Sequence, residues 1–151
     1  MPVCKLKIQN FYQVIMGGGR QVLMTNVTGT EKDPLDEWAG RRKDGRDLID
    51  DWKKDKSDKK AIVVQNNEEL SAVNFEDTDY LLGIFANGHL NMEYKRDSGP
   101  KGQPSLAEMT QAALKILKKN DEGFVLVVSP ILDLLYYAIS DKSFSSMHQW
   151  P

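Results

Sequence analysis

The sequence predicts an α/β fold: a partial layered sandwich built on a mostly parallel central sheet. Two observations lead there. Short apolar runs rich in β-branched residues recur at 14–16, 61–65, 80–85 and 124–128, and each has the length of a buried strand. Segments with helical spacing or helix caps lie between them. The resulting order is strand, loop, helix, strand, helix, strand, long loop, helix, strand, the alternation that parallel sheets require.

The first strand, Val14-Ile15-Met16, runs into Gly17-Gly18-Gly19. Three glycines suit a tight turn that needs positive φ or close backbone approach. They also suit a phosphate cradle, in which free N–H groups face an anion. Neither G-x-G-x-x-G nor G-x-x-x-x-G-K follows, and no helical pattern continues directly. That favours the turn under close packing.

Residues 29–45, "GTEKDPLDEWAGRRKDG", are polar and punctuated by Pro34, Gly40 and Gly45, which predicts an exposed loop. Next, Leu48, Ile49 and Trp52 fall on one helical stripe. The acids of this segment, Asp47, Asp50, Asp51 and Asp55, raise the idea of a metal cluster. Lys53, Lys54 and Lys56 are interspersed with them, so a solvated, charge-paired face is the stronger reading.

"AIVVQ" at 61–65 is the second strand, and Asn66 or Asn67 caps a helix whose first turn carries Glu68 and Glu69. "YLLGIF" at 80–85 is the third strand. The stretch "ANGHLNMEYKRDSGPKGQ" after it is a long loop of the kind that carries function or disorder. His89 lies there with no Cys or second His nearby, so it reads as a lone surface histidine rather than a metal ligand. The strongest helix signal is "PSLAEMTQAALKILKKN". Ser105 and Glu108 have capping-box spacing, and Leu106, Met109, Ala113, Ile116 and Leu117 share a face. Lys115, Lys118 and Lys119 suit the negative end of its dipole. The last strand, 124–128, reads as buried on both faces and stops at Ser129-Pro130. Ile131, Leu134, Leu135 and Ala138 then recur at helical spacing, with Pro130 in the first turn.

With 151 residues the chain has the size of one domain. A net charge of -2 leaves no basic footprint for nucleic acid. A single cysteine, Cys4, excludes an internal disulfide and a Cys-rich zinc site. No run approaches the ~18 apolar residues of a membrane span, and Lys5, Lys7, Gln9 and Asn10 interrupt any secretory h-region at the N-terminus. Asn26-Val27-Thr28 fits a glycosylation sequon.

Three blocks, "VIMGGGR", "LLGIFANGHLNMEYKRD" and "PSLAEMTQAALKILKKNDEGFVLVV", together resemble the alkaline phosphatases, most closely the animal, membrane-anchored kind. The resemblance runs over about residues 14–128. Residues 1–13 read as an unrelated N-terminal extension and 129–151 as an unrelated C-terminal tail. Both departures are abrupt. Val128-Ser129 is encodable as GTGAGT, a splice-donor sequence, which leads to the expectation of an exon block flanked by translated intron.

The resemblance implies phosphomonoester hydrolysis through a phosphoserine, with zinc and magnesium at the carboxyl ends of the sheet. It also implies a homodimer held by a lipid anchor at the outer face of the plasma membrane. The family's nucleophile, arginine clamp and several metal ligands precede the "GGGR" block, and its next ligand is a glutamate directly after the "FVLVV" strand. Here that position holds Ser129, and no histidine follows Asp133 at four residues. A family calcium site would use the Phe85 carbonyl, but Ala86 and Gln103 stand where acids belong. No catalytic, cofactor-binding or metal residue is therefore assigned. The expectation is a fragment of an alkaline phosphatase, inactive alone, binding neither zinc nor magnesium. The competing reading is a non-catalytic binding or interaction module derived from the same fold.

Overall fold

The computed structural model describes residues 12–129 and the backbone of 136–139. Five strands form one sheet in the order β2-β3-β1-β5-β4. They are β1 (Tyr12–Gly17), β2 (Ala61–Val64), β3 (Tyr80–Ile84), β4 (Val125–Val127) and β5 (Tyr136–Ile139). β1 and β2 pair with β3 in parallel, with Val14 and Ile62 both opposite Leu81. β5 runs antiparallel to both β1 and β4, so β1 to β4 all point the same way and their carboxyl ends share one edge.

Alternation along β1 and β3 divides the core between the two faces. Val14, Met16, Leu81 and Phe85 pack with Met109, Ala112, Ala113, Ile116 and Leu117 of α4 (Leu106–Leu117) and with Leu70 of α3 (Asn67–Ser71). Ile15, Leu82 and Ile84 face the other way, against Trp52 and Ile49 of α2 (Leu48–Asp55). This is a helix–sheet–helix sandwich. Met16, Leu81, Ile84, Met109, Ile116 and Leu117 are almost wholly shielded, each worth about 1.5–3 kcal/mol relative to exposure.

The helix starts follow their predicted caps. The Asp47 carboxylate accepts from the N–H groups of Ile49 and Asp50 at 2.9 and 3.0 Å. The Asn66 side chain accepts from Glu69 N–H at 2.9 Å. Ser105 and Glu108 form a reciprocal capping box.

Four expectations change. A short helix, α1 (Arg20–Leu23), does follow the glycines, entered through Gly19 at φ 88°. Leu106, placed on the α4 stripe by spacing, is exposed, and Ala112 is buried instead; the first helical residue projects beyond the turn that meets the sheet. The run 124–128, predicted to be buried on both faces, forms an edge strand with Val125 41% and Val127 51% exposed. Phe124 and Leu126 reach the α4 side, while α2, with only 8 residues, covers the β1–β3–β2 half of the opposite face. Finally, Ala138 lies in β5 rather than in a helix, because Tyr136–Ile139 finds ladder partners on both sides and aromatic and β-branched residues favour strands. Ile131, Leu134 and Leu135 lie outside the described residues.

Candidate functional site

In open α/β sheets, ligands sit beyond the carboxyl ends of parallel strands, so the candidate site is the edge where β1 and β3 finish. The turn 17–19 leaves β1 and passes directly beneath residues 86–88. A Cβ on Gly18 would lie 2.0 Å from the Gly88 carbonyl oxygen, so only glycine permits this approach. The backbone amides that a phosphate cradle would present are already used. Gly19, Arg20 and Gln21 donate to the carbonyls of Gly88, Ala86 and Asn87 at 2.7, 3.0 and 2.9 Å. The glycines thus serve close packing.

Arg20 is committed in the same way. Its Nη1 donates to the Asp33 carboxylate and to Asn87 Oδ1, both at 2.7 Å, and its Nη2 to the Ile84 carbonyl at 2.9 Å. Asn87 completes the knot by donating its own N–H to Asp33 Oδ1 at 2.7 Å and its Nδ2 to the Asp33 carbonyl at 2.7 Å. A guanidinium held by a carboxylate, an amide and a strand carbonyl is an internal cross-link.

The loop 29–46 is exposed along most of its length, as expected, yet two of its acids turn inward. Beside Asp33, Asp36 is gripped by Gln21, whose Oε1 accepts from Asp36 N–H at 2.9 Å and whose Nε2 donates to the Asp36 carbonyl at 2.8 Å. His89, predicted to stand alone, is hydrogen-bonded through Nδ1 to Asp36 Oδ2. Asp36 Oδ1 accepts from Trp38 N–H at 2.8 Å. These donors, His89 first and the Trp38 amide next, hold the Asp36 carboxyl down to about 2.

The other candidate residues are spoken for in structural roles. Asp47 caps α2, Asp50 pairs with Lys54 at 2.6 Å, Asp51 with Arg46 at 2.6 Å, and Asp55 with Lys56 at 2.7 Å. Around Asp50, Asp51 and Lys54 the solvated, charge-paired face is what forms, whereas Lys56, expected on that face, is buried at 4% side-chain exposure with its Nζ over the Tyr80 ring. Ser129 follows β4 at the sheet edge, and Asp133 lies outside the described residues. Asn26 is exposed in a turn with φ 62°.

The positions of a family calcium site do not suit a cation. Ala86 offers no side-chain oxygen, and its carbonyl accepts from Arg20 N–H. Gln103 Oε1 accepts from Asn91 N–H at 2.9 Å, and Arg96, paired with Glu93, donates to the Gln103 carbonyl at 2.9 Å. A guanidinium already supplies the positive charge that ties this loop together. Among the described residues, no three His, Cys, Asp or Glu side chains cluster in a metal-holding arrangement.

The convergence of Gln21, Asp33, Asp36 and Asn87 is not legible in the sequence. None of them lies in a periodic pattern. The only available signal was the pairing of Asp33 and Asp36 around Pro34 in a polar loop.

Comparisons with known proteins agree on one family. A family model described as alkaline phosphatase matches residues 3–130, a wider span at the N-terminal side than the blocks that carry the resemblance. The chain is 46% identical over 118 residues to the tissue-nonspecific isozyme of alkaline phosphatase from Rattus norvegicus, covering 76% of this chain and 22% of the relative. It is 40% identical over 116 residues to alkaline phosphatase from Gadus morhua, covering 76% and 24%. It is 35% identical over 126 residues to the membrane-bound alkaline phosphatase of Bombyx mori, covering 82% and 22%. Among solved structures, alkaline phosphatase from Thermus thermophilus superposes with a TM-score of 0.53 at 35% identity, over 74% of this chain and 19% of that one. The chain therefore spans about a quarter or less of the relatives it matches. With the family model spanning most of the sequence, the chain belongs to the alkaline phosphatase family.

Proposed function

We propose that this chain is a segment of the alkaline phosphatase fold that does not itself hydrolyse phosphomonoesters. In the complete family fold, phosphoryl transfer to a serine would be supported by zinc and magnesium, and the phosphomonoester would be the substrate. A homodimer and a lipid anchor at the outer membrane face belong to the same reading; the silkworm relative carries the words membrane-bound in its name.

One observation carries the proposed inactivity. At the edge where a ligand would sit, the amides of residues 19–21 and both Nη atoms of Arg20 are already bonded within the protein. Ser129 is a neutral hydroxyl where the family places an acid, and it is a poor ligand for a hard divalent cation. A p-nitrophenyl phosphate assay with added zinc and magnesium tests this. No release above the buffer blank is expected, and sustained turnover by the purified chain would overturn it.

A second reading, a non-catalytic interaction module, is favoured by the exposed Val125 and Val127 on edge strand β4 and the exposed Val128 just after it. The two readings part in solution. A self-sufficient module is monomeric with a cooperative melt, whereas a segment of a larger sheet associates through that edge.

A further inference from the structure

We propose that Asn87-Gly88 is a deamidation site held in check by the fold: Arg20 and residues 28–33 keep the Asn87 side chain an amide, and its conversion to a carboxylate sets residues 28–33 free. This rests on the packing at the end of β3 and is independent of whether the chain hydrolyses phosphomonoesters.

Asn87 is followed by glycine, and this is the sole Asn-Gly pair in the chain. Gly88 carries no Cβ to obstruct the approach, so its nitrogen attacks Asn87 Cγ wherever the chain is free to turn. The new N–C bond forms as the bond to Nδ2 breaks. The proton of the Gly88 N–H passes through solvent to the departing nitrogen, and ammonia leaves a cyclic imide. Water then opens the ring at either carbonyl, giving aspartate or its isomer with the main chain routed through the side-chain carbon. Water is the only co-reactant.

Ring closure requires the Asn87 side chain and the 87–88 peptide to rotate toward each other, and the structure holds both. Asn87 Oδ1 accepts from Arg20 Nη1 at 2.7 Å, and Nδ2 donates to the carbonyls of Asp33 and Thr28 at 2.7 and 3.4 Å. The Asn87 N–H donates to Asp33 Oδ1 at 2.7 Å, and its carbonyl accepts from Gln21 N–H at 2.9 Å. The Gly88 carbonyl accepts from Gly19 N–H at 2.7 Å. A Cβ on Gly88 would lie 2.1 Å from Asp36 Cβ, so the Asp36 side chain rests against it. Asn87 is only 2% exposed, which also excludes the water that opens the ring.

The product does not fit the same place. An oxygen in place of Nδ2 faces the Asp33 and Thr28 carbonyls, acceptor against acceptor in a buried site. A second carboxylate then shares Arg20 Nη1 with Asp33. The isomer adds a main-chain carbon next to Gly88, whose carbonyl already leaves no room for a Cβ on Gly18. Residues 36–42 are held separately, by the Gln21 side chain on Asp36, Ala39 and Gly40 and by Arg42 on the Gln21 and Val22 carbonyls. Release is therefore confined to 28–33.

Closing the ring in the folded chain means opening the three 2.7 Å bonds of Asn87 together, two of them to charged groups. That places native deamidation on the order of 100-fold below the unfolded rate.

The test incubates the full chain at mildly alkaline pH, native and in guanidinium chloride, and follows the peptide carrying residues 87–88 by mass spectrometry. Loss of ammonia and uptake of water add about 1 Da, whereas isomerisation at Asp44-Gly45 leaves the mass unchanged. The native rate should be on the order of 100-fold lower. Asp33→Ala, with circular dichroism matching the parent, should deamidate at least about tenfold faster than the native parent. Asn87→Asp should speed amide exchange at Thr30, whose N–H donates to the Asp33 carbonyl at 3.0 Å, and leave Arg42 unchanged. A native rate within about tenfold of the unfolded one means that the packing offers no guard. A native rate above it means that Arg20 activates the carbonyl instead. Either result overturns the proposal, as does a folded Asp33→Ala with the parent's rate or an Asn87→Asp with the parent's exchange at Thr30.

Discussion

Replacing Arg20 with methionine should destabilise the protein strongly, because one side chain ties together β3, the residues after it and the loop 29–46. Methionine keeps the apolar length of the stem but removes three donated hydrogen bonds: to Asp33 at 2.7 Å, Asn87 at 2.7 Å and the Ile84 carbonyl at 2.9 Å. Hydrogen bonds involving a charged group are worth about 1.5–3 kcal/mol each. The sum overstates the loss, since Asp33 keeps the Asn87 N–H and the pair is 18% and 28% exposed. Breaking a fully buried pair costs about 3–5 kcal/mol and a surface pair about 0–1. A loss of about 2–3 kcal/mol is expected, a fall of roughly 6–10 °C in melting temperature for a chain of this size. Urea unfolding followed by far-UV circular dichroism measures it. Arg20→Lys should recover less than half, because an ammonium cannot reach all three acceptors as the planar fork does. A cycle with Asp33→Asn should show coupling above about 1 kcal/mol. If Arg20→Met unfolds within ~0.5 kcal/mol of the parent, the knot is a solvated surface pair and the reasoning fails.

Gly18→Ala should cost on the order of 1–3 kcal/mol, since its Cβ would meet the Gly88 carbonyl oxygen at 2.0 Å; a melting curve matching the parent's contradicts the close approach. Ser105→Ala should cost about 1 kcal/mol through loss of the α4 capping box, read from the urea midpoint. Because the Asp36 carboxyl is held down to about 2, its contribution is complete above the ordinary carboxylate value and is lost as pH falls from about 4 toward 2. Acid titration of Asp36→Asn should therefore be flatter in that window than the parent's. Val127→Lys on the exposed face of β4 should reduce self-association in sedimentation runs at a stability cost within about 0.5 kcal/mol.

Much of the architecture was legible in local chemistry. The four apolar runs became β1 to β4, and Asp47, Asn66 and Ser105 capped α2, α3 and α4. These are properties of neighbouring residues, and the backbone satisfies them wherever the element is placed. The interleaved acids and lysines of 47–56 likewise resolved into a cap and ion pairs, because helical spacing brings Asp50 to Lys54 and Asp55 neighbours Lys56 in the chain.

What the sequence by itself determined was the kind of element in most stretches, with α1 and β5 as the exceptions, and the family to which the blocks point. The tertiary structure decided which strands are interior, what the three glycines do and whether His89 stands alone. Phe124 to Val128 has the composition of an interior strand, yet exposure depends on which neighbours cover it, and α2 reaches only the other half of that face. A glycine run is equally suited to holding an anion and to passing beneath a carbonyl; the position of residues 86–88 selected the second. Asp36 and His89 are separated by 53 positions, and a pairing at that distance exists only once the sheet has brought two strand ends to the same edge.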